Sequence, residues 1–184
     1  KIYAYEKNMN VSNAQWLNRM LITADTLYDG ISVVNLAYYI KEISQRQNPD
    51  YNYLMYCQNS PNPSDMNSAI NQGVGFFTYR GYAGMSGWSV NENNLFNGSR
   101  LCHAVIPTCN TGNYDATATT EQFIRVGTSA SPKGAVTAIG MWGAGTATMP
   151  NNALTGGIFG GIFTEGMRTM GEALLYSKLI PSVK

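Results

Sequence analysis

The chain alternates short apolar runs with longer polar or amphipathic stretches. Five runs stand out, at residues 19–24, 51–57, 74–79, 103–108 and 135–141. Runs of that length, mostly apolar rather than strictly alternating, predict strands buried on both faces of a sheet. Between the first two, residues 31–47 set Val33, Leu36, Ala37, Ile40 and Ile43 on one helical face, and Asn48-Pro49 stops the helix. Before it, residues 25–30 read as a loop. After the second run, Asn62 is placed to cap a helix, Pro63 suits its first turn and Gly73 ends it. Thr119 and Gln122 have the spacing of a capping box, opening a helix that ends near Gly127. The first fifteen residues look like an irregular lead-in, and residues 142–181 like loop and one or two helices, with Gly156, Gly157, Gly160 and Gly161 permitting close packing.

Strands alternating with helices in three of four intervals predict an α/β domain with a mainly parallel sheet, flanked by helices and wound through right-handed crossovers. A length of 184 residues suits one domain. Charged residues are only 12%, about half the usual share, and the net charge is +1 with no basic run. That excludes electrostatic nucleic-acid binding and a polybasic membrane contact. The apolar stretch 153–180 carries Glu165, Arg168, Glu172 and Lys178, so it predicts no transmembrane segment. Residues 1–6 lack the apolar core of an export signal. A surface rich in Asn and Tyr and poor in Lys and Glu points outside the cell. The chain is therefore expected to be a processed or excised part of a longer secreted protein, with other domains.

Candidate chemistry gathers at two loops that follow strands. Three cysteines, Cys57, Cys102 and Cys109, occur without a CxxC pair, and the single histidine, His103, has no ligand cluster around it, so no metal site is readable. Cys57 and Cys102 read as small buried hydrophobes. Cys109 differs, because it stands where an apolar strand gives way to Asn110-Thr111-Gly112, the position at which open α/β sheets build their sites. The second loop, Arg80-Gly81-Tyr82-Ala83-Gly84-Met85-Ser86-Gly87-Trp88, is dense in glycine, as a sharp turn or a close approach to ligand requires. It has no Lys-Ser/Thr and is not a phosphate loop. Asn10-Val11-Ser12 and Asn97-Gly98-Ser99 match the glycosylation sequon, a frequent chance match in an Asn-rich chain.

These loops carry a resemblance. In the gingipain-type cysteine peptidases a strand leads into Tyr-Thr-Gly-His-Gly-Ser, with a Trp six residues after the His. Here the order is Tyr79-Arg80-Gly81-Tyr82-Ala83-Gly84, with Trp88 six residues after Tyr82. The family's next strand ends in its nucleophilic Cys and an Asn-Gly turn, like Val105-Ile106-Pro107-Thr108-Cys109-Asn110-Thr111-Gly112. The strand after it is similar to Pro132-Lys133-Gly134-Ala135-Val136-Thr137-Ala138-Ile139-Gly140. The resemblance runs from about Trp16 to Lys178. It implies a caspase-like three-layer sandwich and a secreted or surface domain that hydrolyses peptide bonds through Cys109 and a thioester. The substrate or surface partner would be a peptide or protein. It also implies an oxyanion hole from the backbone of Cys109 with Ala83 or Gly84, and a substrate pocket walled by Trp142 and Trp88. Relatives carry calcium, but no ligand set is readable here.

One departure bears on activity. Tyr82 stands where the family has its histidine. A free thiol has a pKa of about 8.5 and needs an imidazole to lower it and to protonate the leaving amine. Tyrosine, with a pKa of about 10, is a poor base at neutral pH. His103 lies six residues before Cys109 on the same predicted strand, about 20 Å away, and reads as structural. Arg80 has a cation to offer the thiol but cannot act as a base, and strand alternation points it away from Tyr82. Asp115 and Glu121 read as capping or solvated carboxylates. The alternative to a peptidase is therefore a pseudopeptidase kept as a binding or structural module.

Overall fold

The computed structural model describes residues 1–8 and 13–180. Helix α1 (Ile2–Asn8) opens the chain, and a single 3-10 turn (Gln15–Asn18) leads into β1 (Arg19–Asp25). There follow α2 (Thr26–Asp29), α3 (Ile31–Gln47), β2 (Asn52–Gln58), α4 (Pro63–Asn71), β3 (Phe76–Arg80), β4 (Cys102–Ile106), α5 (Thr119–Arg125), β5 (Ala135–Gly140), α6 (Thr148–Phe163) and α7 (Met170–Leu179). All five expected strands form, and they pair in parallel in the order β2-β1-β3-β4-β5.

The alternation of strand side chains divides the core in two. Met20, Ile22 and Ala24 of β1 face α3, α6 and α7, where they meet Val33, Ile40, Ile158, Phe159 and Ala173. Leu21 of β1 joins Phe77 and Tyr79 of β3 on the other face, under Met66 and Ile70 of α4 and Phe123 of α5. The result is a three-layer α/β/α sandwich. The glycines of α6 do permit close packing: a methyl group on Gly157 would lie 2.8 Å from Ser177 of α7.

Three local expectations fail for physical reasons; the first is the loop at residues 25–30, where Asp25 accepts from the Leu27 amide and caps the short helix α2. The lead-in is not irregular throughout, since residues 2–8 are helical; their apolar side chains repeat too briefly to signal a helix by period. Thr119 and Gln122 form no capping box: α5 is capped at Ala118 without a side-chain bond, because the chain is held there from outside. Thr120 donates from both its amide and its hydroxyl to the Thr111 carbonyl, at 2.9 and 3.0 Å. The capping box that does form is Thr169 with Glu172, at the start of α7.

At the carboxyl end of β1, the buried side chain of Asp25 collects donors from four segments. The amides of Leu27 and Ser60 donate to it at 3.0 Å each, the Tyr79 hydroxyl at 3.2 Å, and the Ser86 hydroxyl closer still. Burial alone would raise its pKa, but the bonds from Ser86, Leu27, Ser60 and Tyr79 together hold it below the ordinary carboxylate range. Asp25→Ala leaves those donors buried and unpaired, and is expected to lower stability by on the order of 3 kcal/mol, read from urea unfolding. Because the folded pKa lies below the unfolded value of about 3.9, the Asp25 contribution is present above about pH 4 and is lost as pH falls through the folded value. The stability gap between wild type and variant should therefore stay constant from about pH 7 to pH 5 and narrow below that.

Candidate active site

The connection from β1 runs to β2 on one side, and that from β3 runs to β4 on the other. Their carboxyl ends therefore flank the crevice in which open α/β sheets place their sites. The loop after β3 and the turn after β4 meet there, since Ala83 pairs with Cys109 in an isolated parallel bridge. The amide of Gly84 donates to the Cys109 carbonyl at 3.0 Å. That bond takes the Gly84 amide out of the expected oxyanion donors.

The turn carrying Cys109 is fixed from within. The Thr111 hydroxyl donates to the carbonyls of Ile106 and Thr108 at 2.6 and 2.7 Å. Asn110 has φ +63°, a left-handed conformation that Asn tolerates better than most residues. The Asn110 and Gly112 amides donate to Gly143 and Met141, which ties the turn to the segment after β5. Cys109 is only 6% exposed. Its thiol lies 3.2 Å from the Thr146 carbonyl and 3.1 Å from the Thr146 hydroxyl. Asn151 of α6 donates to the same hydroxyl at 3.0 Å.

The other expected site residues separate into two groups. Tyr82 is 61% exposed, and its ring tilts against that of Tyr28 at 5.2 Å. Among the described residues no hydrogen bond joins its hydroxyl to the thiol. Trp142 is exposed on the segment after β5. Trp88, expected in a pocket wall, is instead in the core: it is 5% exposed, packs edge-on against Phe77 and Phe123, and donates from Nε1 to Asn67. Tyr79 and Ser86 turn the loop inward onto Asp25, which draws Trp88 under it.

His103 lies toward the amino end of β4, in register with Phe76. Its Nδ1 is 2.8 Å from the Thr137 hydroxyl, and its ring lies against Phe76. Asn97 is also structural, since its buried amide group donates to Arg100 and Gly134 and accepts from Gly134. The sequon at residues 10–12 lies outside the described residues. Asp115 is exposed, and Glu121 pairs on the helix surface with Arg125. Among the described residues, no three His, Cys, Asp or Glu side chains converge as metal ligands, and no helix is long and apolar enough to cross a membrane. A cavity of about 770 Å³ opens at the opposite, amino end of the sheet, against Trp16, Arg19 and Arg100, remote from Cys109.

Sequence reasoning undervalued Arg80. Its side chain does leave the Tyr79 face, as alternation requires, but it runs beneath the Cys109 turn and is 2% exposed. The guanidinium donates to the Pro107 carbonyl at 2.7 Å, and to the Gly81 carbonyl and Thr108 hydroxyl at 3.2 Å. Burial lowers its pKa to about 10, against the opposing influence of Asp29, Cys109 and Tyr79, so it remains a cation at neutral pH. Its signal in the sequence was a charged residue at the end of an otherwise apolar strand.

Fold and crevice together define a caspase-like α/β domain with a cysteine at a strand-end turn. The model of peptidase family C25 matches residues 1–181, and the chain belongs to that family. Its backbone is similar to the crystal structure of the Arg specific cysteine proteinase gingipain R (RgpB), with a TM-score of 0.76 and 18% identity over 100% of this chain. It is also similar to the complex of the Porphyromonas gingivalis RgpB pro- and mature domains, with a TM-score of 0.78 and 17% identity over 97% of this chain. In both cases the match covers 46% of the solved chain, so this chain spans less than half the length of either. No curated protein matches the sequence.

Because the chain has one histidine, its imidazole is readable alone by NMR. Burial lowers the His103 pKa, so the titration midpoint should fall below about 6.5. Cys109→Ala should leave that midpoint unchanged; a displaced midpoint would put the ring in contact with the thiol.

Proposed function

We propose that this C25-family domain keeps the peptide-binding cleft of a cysteine peptidase but does not activate its thiol, and serves as a secreted or surface module that binds a protein or peptide. The observation that carries the reading is the environment of Cys109: its thiol is bonded to Thr146, and the chain's only imidazole is spent on Thr137. Tyr82 takes the family's histidine position in this reading, and its exposed ring with Tyr28 and Trp142 offers a partner an aromatic rim. Aromatic side chains supply large contact area at low entropic cost. A protein partner fits the likeness to a structure that is itself a complex of pro- and mature domains.

A second reading, slow hydrolysis through Cys109, has its own support. Cys109 stands at the crevice beside Ala83, whose amide would receive an oxyanion. The thiolate would attack the carbonyl, form a thioester and release the amine, which must take its proton from water in the absence of an imidazole.

Labelling with iodoacetamide at pH 7 separates the two. Cys109 should react no faster than a free model thiol, within about threefold, as judged against Cys109→Ala. Tyr82→His should raise that rate roughly tenfold or more by supplying the missing base. Rapid labelling of the unaltered protein would favour the peptidase.

A further inference from the structure

We infer that the cavity at the amino end of the sheet is a binding site for a small phosphate monoester with a planar apolar body, held by Arg19 and Arg100 and packed against Trp16. It lies at the end of the sheet remote from Cys109, and it does not depend on how the crevice there is read. Its volume of about 770 Å³ is in the range that receives small-molecule ligands.

Two guanidiniums meet at its wall. Arg19 opens β1, and its Nη1 donates to the Gln72 carbonyl at 3.2 Å. Arg100 stands just before β4, and its Nη2 donates to the Asn71 carbonyl at 2.7 Å. Those are consecutive carbonyls at the end of α4, so the helix terminus sets the two cations side by side. The negative end of the helix dipole offsets part of their charge. It takes one donor from each guanidinium, and each has five. Among the described residues neither arginine pairs with a carboxylate, and no Asp or Glu lines the cavity. Lys1 also lines it, but its ammonium is spent on the carbonyls of Phe123, Val126 and Lys133.

Two neighbouring cations with free donors call for an anion with charge and oxygens enough for both. A phosphate monoester carries nearly two negative charges at neutral pH and three acceptor oxygens, so separate oxygens can meet each fork. A carboxylate brings one charge and two oxygens. The wall beside the arginines is preset. Gly73 has φ +88°, and a methyl group there would lie 2.7 Å from Arg100 Cδ and 2.9 Å from Trp16 Cβ. The bare glycine thus lets the Arg100 stem lie next to Trp16. The half-buried Trp16 ring is fixed edge-on against Tyr5, with centroids 6.4 Å apart. It gives the flat body of a ligand an aromatic surface within reach of the phosphate position.

The test is calorimetric titration with phenyl phosphate at low ionic strength, with inorganic phosphate and benzoate as comparison probes. Wild type should bind phenyl phosphate saturably at one site, roughly tenfold or more tighter than either comparison probe. Arg19→Gln and Arg100→Gln should each weaken that binding by roughly tenfold, and Arg100→Lys, which keeps the charge but not the fork, should recover only part of it. A wild type without saturable binding overturns the inference, as does an Arg100→Gln variant that binds equally well. Inorganic phosphate binding as tightly as phenyl phosphate means an adventitious ion only, and benzoate binding as tightly removes the phosphate assignment; either result overturns it. Should a variant not fold, wild type still decides: saturating phenyl phosphate should raise Tm and leave the iodoacetamide rate of Cys109 unchanged. Protection of Cys109 would put the ligand in the crevice and overturn the inference. Fast labelling of Cys109 without ligand would sink the non-hydrolytic reading and leave this one intact.

Discussion

The carboxyl end of this sheet depends on the burial of Asp25. A carboxylate taken out of water is costly unless its oxygens are fully bonded. Here the bonds come from the turn into α2, the loop after β2, the strand β3 and the loop after β3. The parallel ladder ends with Asp25 opposite Gln58, and beyond that pair the carboxylate joins these segments. Ser86 reaches it from a left-handed backbone conformation, φ +47°, uncommon for a residue with a side chain. The loop is thus bent toward the core at Ser86 and Trp88, and its opposite edge, Tyr82 to Gly84, is left to meet the Cys109 turn.

A second buried charge, of opposite sign, works on the other face. Arg80 is next to Tyr79 in sequence, and strand alternation sends the two side chains to opposite sides of β3. Tyr79 reports to Asp25; Arg80 joins the Cys109 turn to α2 and α6. The crevice is therefore pinned from both faces by groups that do not themselves reach solvent. That arrangement also explains why the thiol is so well covered: the turn is drawn down by Arg80 and closed over by Thr146, which Asn151 of α6 holds in turn.

Strand position and helix α3 were legible in the sequence because both are period effects, and a run of apolar residues reports burial wherever the neighbours lie. The order of the two site loops was legible too, since a parallel sheet puts every loop that follows a strand at the same end. What misled was local chemistry read without its surroundings. Thr119 and Gln122 had capping-box spacing, but the Thr111 carbonyl took Thr120 and the helix began differently. The family resemblance put Trp88 in a pocket wall, but a side chain's direction is set by the bend at Ser86. Arg80 was discounted because alternation pointed it away from Tyr82, which was correct, while the turn it points toward was invisible.

By itself, then, the sequence determined the class of fold, the strand-end position of Cys109 and the shortage of a base, since a chain with one histidine in the wrong strand position cannot place an imidazole at the thiol. Tertiary structure alone decided which groups surround that thiol and which charges are spent inside. Those outcomes depend on contacts between segments tens of residues apart, Asp29 with Arg80 and Thr146 with Cys109, and no local period or spacing encodes such pairs. They are fixed only when the layers close and each buried polar group must find a partner.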